Sequence, residues 1–282
     1  MVEMEKIKII TDSTADLPDS ILKKYNIEVL PLLINFGENS YRDGIDMDIH
    51  TLLHKMDKSN VFPSTTQVNP QTFLECYGSY INRGYKIVSI HLSSKMSGTY
   101  QSACIAKEML KTEDIIVIDG VNVTSGLGLQ VIKAAKLKEQ GFGIRDIESK
   151  IIEMSPHIKS TLAFNNLDNL VKGGRLSKTA GIIGNILGIK IIVAVEEGEM
   201  AVVDKVRGNK RTLRNMVDYI DKKEIKEGEV SILLHVGQSD ILDVLRKHLE
   251  EKKIEFIECE VGCTVGVHSG SPACGLFFVE NY

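Results

Sequence analysis

The chain has 282 residues, a formal net charge of -4, and 43% hydrophobic against 26% charged side chains. That length exceeds what one core commonly supports, so two medium domains are expected, and the apolar fraction excludes a disordered chain. The acidic balance offers no general attraction to nucleic acid or to an anionic membrane surface.

Met1 to Lys8 alternates charged and apolar residues and lacks the apolar stretch of a secretory signal, which places the protein in the cytoplasm as an expectation. Strands are predicted at Ile7 to Thr11, Ile27 to Ile34, Lys86 to Leu92 and Ile115 to Asp119, from short β-rich runs. Helices are predicted between and after them, at Leu17 to Tyr25, Pro70 to Arg83, Gly98 to Leu110, Ser125 to Glu139 and Ile144 to Glu153, from apolar residues at helical spacing. This alternation calls for a parallel sheet covered on both faces.

Near Pro156 the pattern changes, so residues 1–156 are read as a parallel α/β domain and 157–282 as a second α/β domain. Strands are predicted there at Ser160 to Phe164, Ile189 to Glu196, Met200 to Arg207, Val230 to His235, Ile254 to Glu260 and Gly275 to Val279. The turn Glu196-Glu197-Gly198-Glu199 makes a hairpin, so the second sheet has an antiparallel component. The longest apolar stretch, Ile182 to Val195, is broken by Gly184, Asn185, Gly188 and Lys190, and no membrane span is expected. With no linker in view, the domains are expected to pack closely and share a cleft.

In parallel sheets, ligands bind beyond the carboxyl ends of strands, where helix N-termini favour anions. The loops there are Asp12-Ser13-Thr14, Ser93 to Thr99 and Asp119-Gly120. Neither a Gly-x-x-x-x-Gly-Lys-Ser/Thr loop nor a Gly-x-Gly-x-x-Gly turn is present, which argues against nucleotide binding. Taken alone, Lys172-Gly173-Gly174-Arg175 reads as a helix C-cap with basic residues beside the dipole. His50 and His54 share a helix face without the glutamate of a metalloprotease motif, and read as solvated. His91 ends a buried strand and reads as a core histidine, whereas His268, in a small-residue loop, reads equally well as ligand-facing or structural. The five cysteines, Cys76, Cys104, Cys259, Cys263 and Cys274, form no Cys-x-x-Cys pair, so no metal site or disulfide framework is indicated and small buried side chains are expected. The hydroxyls of Pro63-Ser64-Thr65-Thr66-Gln67 and of Ser97-Gly98-Thr99 are either helix caps or, if the loops converge, donors to a carboxylate.

Five local patterns occur in order: Thr11-Asp12-Ser13-Thr14, Thr65-Thr66-Gln67, Leu92 through Ala103 (LSSKMSGTYQSA), Lys172 through Lys178 (KGGRLSK) and His268-Ser269-Gly270. Together, over Ile7 to Glu280, they resemble the DegV family of bacterial fatty-acid-binding proteins. The resemblance implies a two-domain α/β fold with one long-chain fatty acid, such as palmitate, and no further cofactor or metal. It maps the carboxylate site to Thr65 and Ser97, with Gly98 and His268 beside them, and puts His268, Arg175 and Arg207 near the head group or on a partner-facing surface. The implied partner is an ATP-binding fatty acid kinase subunit that phosphorylates the carboxylate for phospholipid synthesis. The chain departs from the family pattern at Thr66, Val68, Gly120 and Ser271-Pro272. The competing expectation is a serine hydrolase acting on acyl esters, with Ser97 or Thr65 as nucleophile and His268 as base. It has no Gly-x-Ser-x-Gly elbow and no acid evidently paired with His268.

Overall fold

The computed structural model describes residues 5–59, 61–176 and 188–282. Ser177 and Lys178 of the fourth pattern, the first four residues, and the part of the apolar stretch before Gly188 lie outside the described residues.

The first half is built on a parallel sheet in the order β2 (Glu28–Leu30), β1 (Ile7–Asp12), β6 (Lys86–His91), β7 (Ile115–Asp119). Every residue of β1 is buried, as a parallel strand covered on both faces requires. Alternate residues feed two cores. Ile9, Val88, Ile90 and Ile116 face the main core, while Ile10, Ile87 and Ile115 meet Phe73 and Tyr77 of α3 (Pro70–Ile81) and Ala103 and Ala106 of α4 (Thr99–Leu110).

The second half is a six-stranded sheet, β10-β9-β8-β13-β11-β12, antiparallel except where β11 (Ser231–Val236) runs beside β12 (Phe256–Glu260). Its other strands are β8 (Ile158–Phe164), β9 (Ile189–Glu196), β10 (Glu199–Arg207) and β13 (Ala273–Val279). The expected hairpin joins β9 to β10, with Glu197 and Gly198 both at positive φ, as a two-residue turn of this kind demands. One face of this sheet packs on the helices Asn209–Lys223 and Asp240–Glu251 through Met216, Ile220, Leu245 and Leu249.

The other face meets the first half through α5 (Ser125–Glu139). Eleven of its fifteen residues are buried, and it packs on β1 and β6 on one side and on β8, β11 and β13 on the other. Gly128 permits this approach, since a Cβ there would fall 2.9 Å from the Ala15 carbonyl oxygen. A single apolar core therefore runs from Ile9 and Ile90 through Leu127 and Val131 to Ile232 and Phe277.

Three expectations are corrected. Ile27 to Ile34 is not one strand: Pro31, with no N–H for a ladder, separates β2 from β3 (Leu33–Phe36), which joins a different sheet. That three-stranded sheet, β4-β3-β5, pairs β3 with β4 (Asn39–Arg42) and with β5 (Ser64–Thr66), so the hydroxyl-rich segment is a strand. The helix after it is capped instead by Asn69, whose side chain accepts from Thr72 N at 2.9 Å. His268 lies on a short helix, Cys263–Ser269, rather than in a loop.

Candidate functional site

A cavity of about 160 Å³ lies where the loops leading into α4 and α5, together with the small sheet, meet the inner face of the six-stranded sheet. Its apolar wall comes from Leu92, Met96 and Val123 on one side, and from Leu162, Phe164, Val195, Met200, Leu234 and Val236 on the other. Thr65, Ser97, Gly98, Arg175 and His268 all line the same cavity, joined by Gln67 and Ser269. The convergence that the sequence left open is thus present. Arg207 stands apart, exposed at the end of β10 and outside the cavity lining.

Thr65 sits at the centre of β5, opposite Ile34, and its Oγ1 lies 3.0 Å from His268 Nε2. The imidazole is half-buried, and burial together with the nearby Arg175 cation pushes its pKa down to about 4. His268 is therefore neutral near pH 7. Its Nδ1 is buried with no hydrogen-bond partner among the described residues and rests against Gly173, where a Cβ would fall only 2.0 Å away. Gly173 also caps the helix Asp168–Lys172, its N–H donating to Asn169 O at 2.8 Å, so the C-cap reading of this motif holds while the motif also shapes the cavity.

Ser97 precedes α4, and its Oγ lies 3.0 Å from Thr99 Oγ1 and accepts from Thr99 N at 3.3 Å. Its local capping contact is thus long, and a hydroxyl has capacity beyond it. A Cβ on Gly98 would meet Gln67 Oε1 at 2.1 Å, so any larger residue there displaces the amide that donates to Ser102 Oγ at 3.0 Å. The Arg175 guanidinium donates to Met96 O at 3.1 Å and Gly173 O at 2.7 Å, and these are its side-chain hydrogen bonds among the described residues on a cation that lines the cavity.

Two buried arrangements stand behind the site, the first built on Asp12 of the first pattern and on His91, the expected core histidine, the second on Asp16 and Asp43, which no sequence pattern singled out. His91 is fully buried, with Nδ1 3.0 Å from Asp12 Oδ2 and Nε2 2.7 Å from Ser89 Oγ, which Tyr77 also contacts. Both ring nitrogens are satisfied, as a core histidine requires. Asp12 also accepts from Thr14 Oγ1 at 2.5 Å, which fixes a residue of the cavity wall. The second arrangement anchors the His268 helix: Asp43 accepts from Cys263 N at 2.8 Å and Thr264 N at 3.2 Å, and Asp16 accepts from Gly262 N at 2.9 Å. Burial, with the Asp43 charge adding to it, raises the pKa of Asp16 well above the usual carboxylate range, against hydrogen bonds from Thr124 and Gly262.

The hydrolase arrangement does not assemble around Ser97, whose side-chain contact is Thr99, not His268. The Thr65–His268 pair has nucleophile-to-base geometry, but an imidazole with a pKa near 4 and no acid on Nδ1 is a weak general base. His50 and His54 are exposed on the helix Ile49–Lys58, and among the described residues no cluster of three or more metal-ligating side chains occurs. All five cysteines are free, Cys259, Cys263 and Cys274 buried and Cys76 and Cys104 partly so. No helix among the described residues is long and apolar enough to cross a membrane.

The family model described as "Uncharacterised protein, DegV family" matches residues 6–281. A DegV domain-containing protein of Clostridium acetobutylicum is 56% identical over 279 residues, covering 99% of this chain and 100% of the relative. The structure of DegV, a fatty acid binding protein from Bacillus subtilis, matches with a TM-score of 0.86 at 26% identity, covering 99% of this chain and 100% of that one. The fatty acid kinase B3 protein of Streptococcus pneumoniae, loaded with linoleic acid, shares the fold with a TM-score of 0.86 at 21% identity, covering 98% of this chain and 100% of that one. By sequence over nearly its whole length, and by fold, the chain belongs to the DegV family.

Proposed function

We propose that this protein binds one long-chain fatty acid, burying the acyl tail in the cavity and holding the carboxylate with the hydroxyls of Thr65 and Ser97. The observation that carries this reading is the composition of the cavity, in which Thr65, Ser97, His268 and Arg175 line the same space as a large set of apolar side chains from both halves, among them Leu92, Met96, Leu162, Phe164, Val195 and Leu234. Burying about fourteen methylenes at about 0.8 kcal/mol each is a gross gain of about 11 kcal/mol, from which lost freedom of the ligand subtracts several. The carboxylate opposes burial unless it is hydrogen-bonded, and two hydroxyls beside a guanidinium answer that need. The fatty acid binding of the Bacillus subtilis relative supports the assignment.

In the finer form of the proposal, the protein is a carrier without cofactor or metal. It presents the carboxylate, such as that of palmitate, to an ATP-binding fatty acid kinase subunit. Support comes from the ordered motifs and from the kinase name borne by the Streptococcus pneumoniae protein of the same fold. Arg207, exposed and away from the cavity, then serves the partner, whereas Arg175 serves the head group.

The test is mass spectrometry of an organic extract of natively purified protein, expected to yield a long-chain fatty acid at close to one per chain. A clean extract from a lipid-replete host would count against the carrier, and turnover of acyl esters with Thr65 essential would reject it in favour of the hydrolase.

A further inference from the structure

Two residues after Thr65 the chain carries Gln67, and both side chains line the cavity. Thr66, between them, is exposed, and its hydroxyl accepts from Asn35 Nδ2 at 2.7 Å. The alternation of an extended segment thus sets Thr65 and Gln67 on one face.

Gln67 reaches from this segment to α4. Its Nε2 donates to Ser102 Oγ at 3.0 Å, and Ser102 is buried and stands outside the cavity lining. The Ser102 N–H donates in turn to Gly98 O at 3.0 Å, in the first turn of the helix. The amide therefore ties the strand of Thr65 to the turn that begins next to Ser97. An exposed glutamine gains little stability from a hydrogen bond that replaces one to water, so what this contact supplies is placement.

Gly98 is shaped around the same amide. Its backbone, at φ -77° and ψ 5°, is open to residues other than glycine, so conformation does not call for one. The three atoms that a Cβ there would meet first all belong to Gln67: Oε1 at 2.1 Å, the carboxamide carbon at 2.8 Å and Nε2 at 2.9 Å. The space that a side chain would take beside Ser97 is filled by the Gln67 amide.

We infer that Gln67 is a positioning residue: its amide, wedged against Gly98 and tied to Ser102, sets the spacing between the Thr65 and Ser97 hydroxyls and so gives the cavity its preference for a carboxylate head group. This rests on the fatty-acid reading and deepens it. A carboxylate held by two donors at once requires them at a fixed separation, whereas the single oxygen of an alcohol is satisfied by either. Loss of the bridge therefore acts on the carboxylate and spares the alcohol.

The test is equilibrium binding of palmitate and of hexadecanol, equal in chain length, to the wild-type chain, to Gln67→Ala, Ser102→Ala and Gly98→Ala, and to the double variant Gly98→Ala/Gln67→Ala. Gln67→Ala is expected to lower the affinity for palmitate about tenfold and to leave that for hexadecanol as it is, so that the ratio of the two falls by the same factor. Ser102→Ala, at a residue outside the cavity lining, should lower the ratio in the same direction, and so should Gly98→Ala, which displaces the amide. In the double variant the ratio should match that of Gln67→Ala alone, because the atoms that the new methyl would strike are gone. If the Ser102 and Gly98 variants do not fold, the ratio in Gln67→Ala, at an exposed position, decides the question. An equal loss for both ligands in Gln67→Ala, or an unchanged ratio, overturns the positioning role while leaving fatty acid binding intact. Absence of palmitate binding by the wild-type chain overturns both.

Discussion

His268 Nε2 lies 3.0 Å from Thr65 Oγ1, and this contact joins a strand of the first half to a helix of the second across 203 residues of chain. The polar end of the cavity is therefore complete only when the halves are packed together. Its chemistry belongs to the interface between them.

The hydroxyls of Thr65 and Ser97 are expected to donate to one carboxylate, each bond to a charged acceptor contributing about 1.5 to 3 kcal/mol. Thr65→Ala and Ser97→Ala should each weaken fatty acid binding about tenfold to a hundredfold, and the double variant more. Titration with a fluorescent fatty acid, beside a thermal melt of lipid-free protein, measures both effects. Wild-type affinity combined with a lowered melting temperature would leave these residues with a local structural role only.

Acid should unfold the protein partly through His268. The imidazole titrates near 6.5 when unfolded and near 4 in the fold, so between those values the unfolded chain holds the extra proton. Stability then falls as the pH drops from about 6.5 to about 4, by at most about 3 kcal/mol, and this contribution stops changing below that. His268→Gln should melt with a shallower dependence across this window. Parallel curves for the two proteins would show that the imidazole is not held neutral.

Gly173 and His268 should be energetically coupled. A methyl at Gly173 would sit 2.0 Å from Nδ1 and 3.0 Å from the Asn169 carbonyl oxygen, so Gly173→Ala must displace the ring from its present position beside Thr65. The expected cost is about 1 to 3 kcal/mol in stability, with at least a tenfold loss of lipid affinity. In a double-mutant cycle with His268→Ala, most of that affinity loss should disappear. Additive losses would mean that Gly173 acts through the backbone alone.

Asp43 caps the His268 helix from the other half of the chain, accepting from two of its first N–H groups. Asp43→Ala should destabilise the fold by about 1 to 2 kcal/mol, read as a lower urea midpoint. Asp43→Asn keeps an acceptor and should lose less. It also removes a charge that raises the pKa of Asp16, so the Asp16 carboxyl should titrate lower in that variant, as carboxyl NMR shifts would report. An unmoved Asp16 would show that burial alone sets its value.

Local periodicity was enough to locate β7 at Ile115–Asp119, α5 at Ser125–Glu139 and β9 at Ile189–Glu196, because in each the burial pattern is written in consecutive side chains. The ordered motifs likewise identified the family and singled out Thr65, Ser97, Gly98, Arg175 and His268, which line the cavity, whereas Leu162, Phe164, Val195, Leu234 and Val236 of the same wall lie outside every motif. Other elements left little trace. β4 has one apolar residue, Tyr41, and β5 has none, so pairing with β3 decides their conformation. The helix of His268 contains Gly266 and three β-branched residues, Thr264, Val265 and Val267, and its first turn is stabilised by Asp43 from 220 residues away. Arg175 could be a surface cation or a cavity cation on sequence grounds, and its bonds to Met96 and Gly173 decide for the cavity. A sequence pattern records which face of an element avoids water. Which groups meet across the space between two elements depends on how those faces pack, and the Thr65–His268 contact exists only at that level.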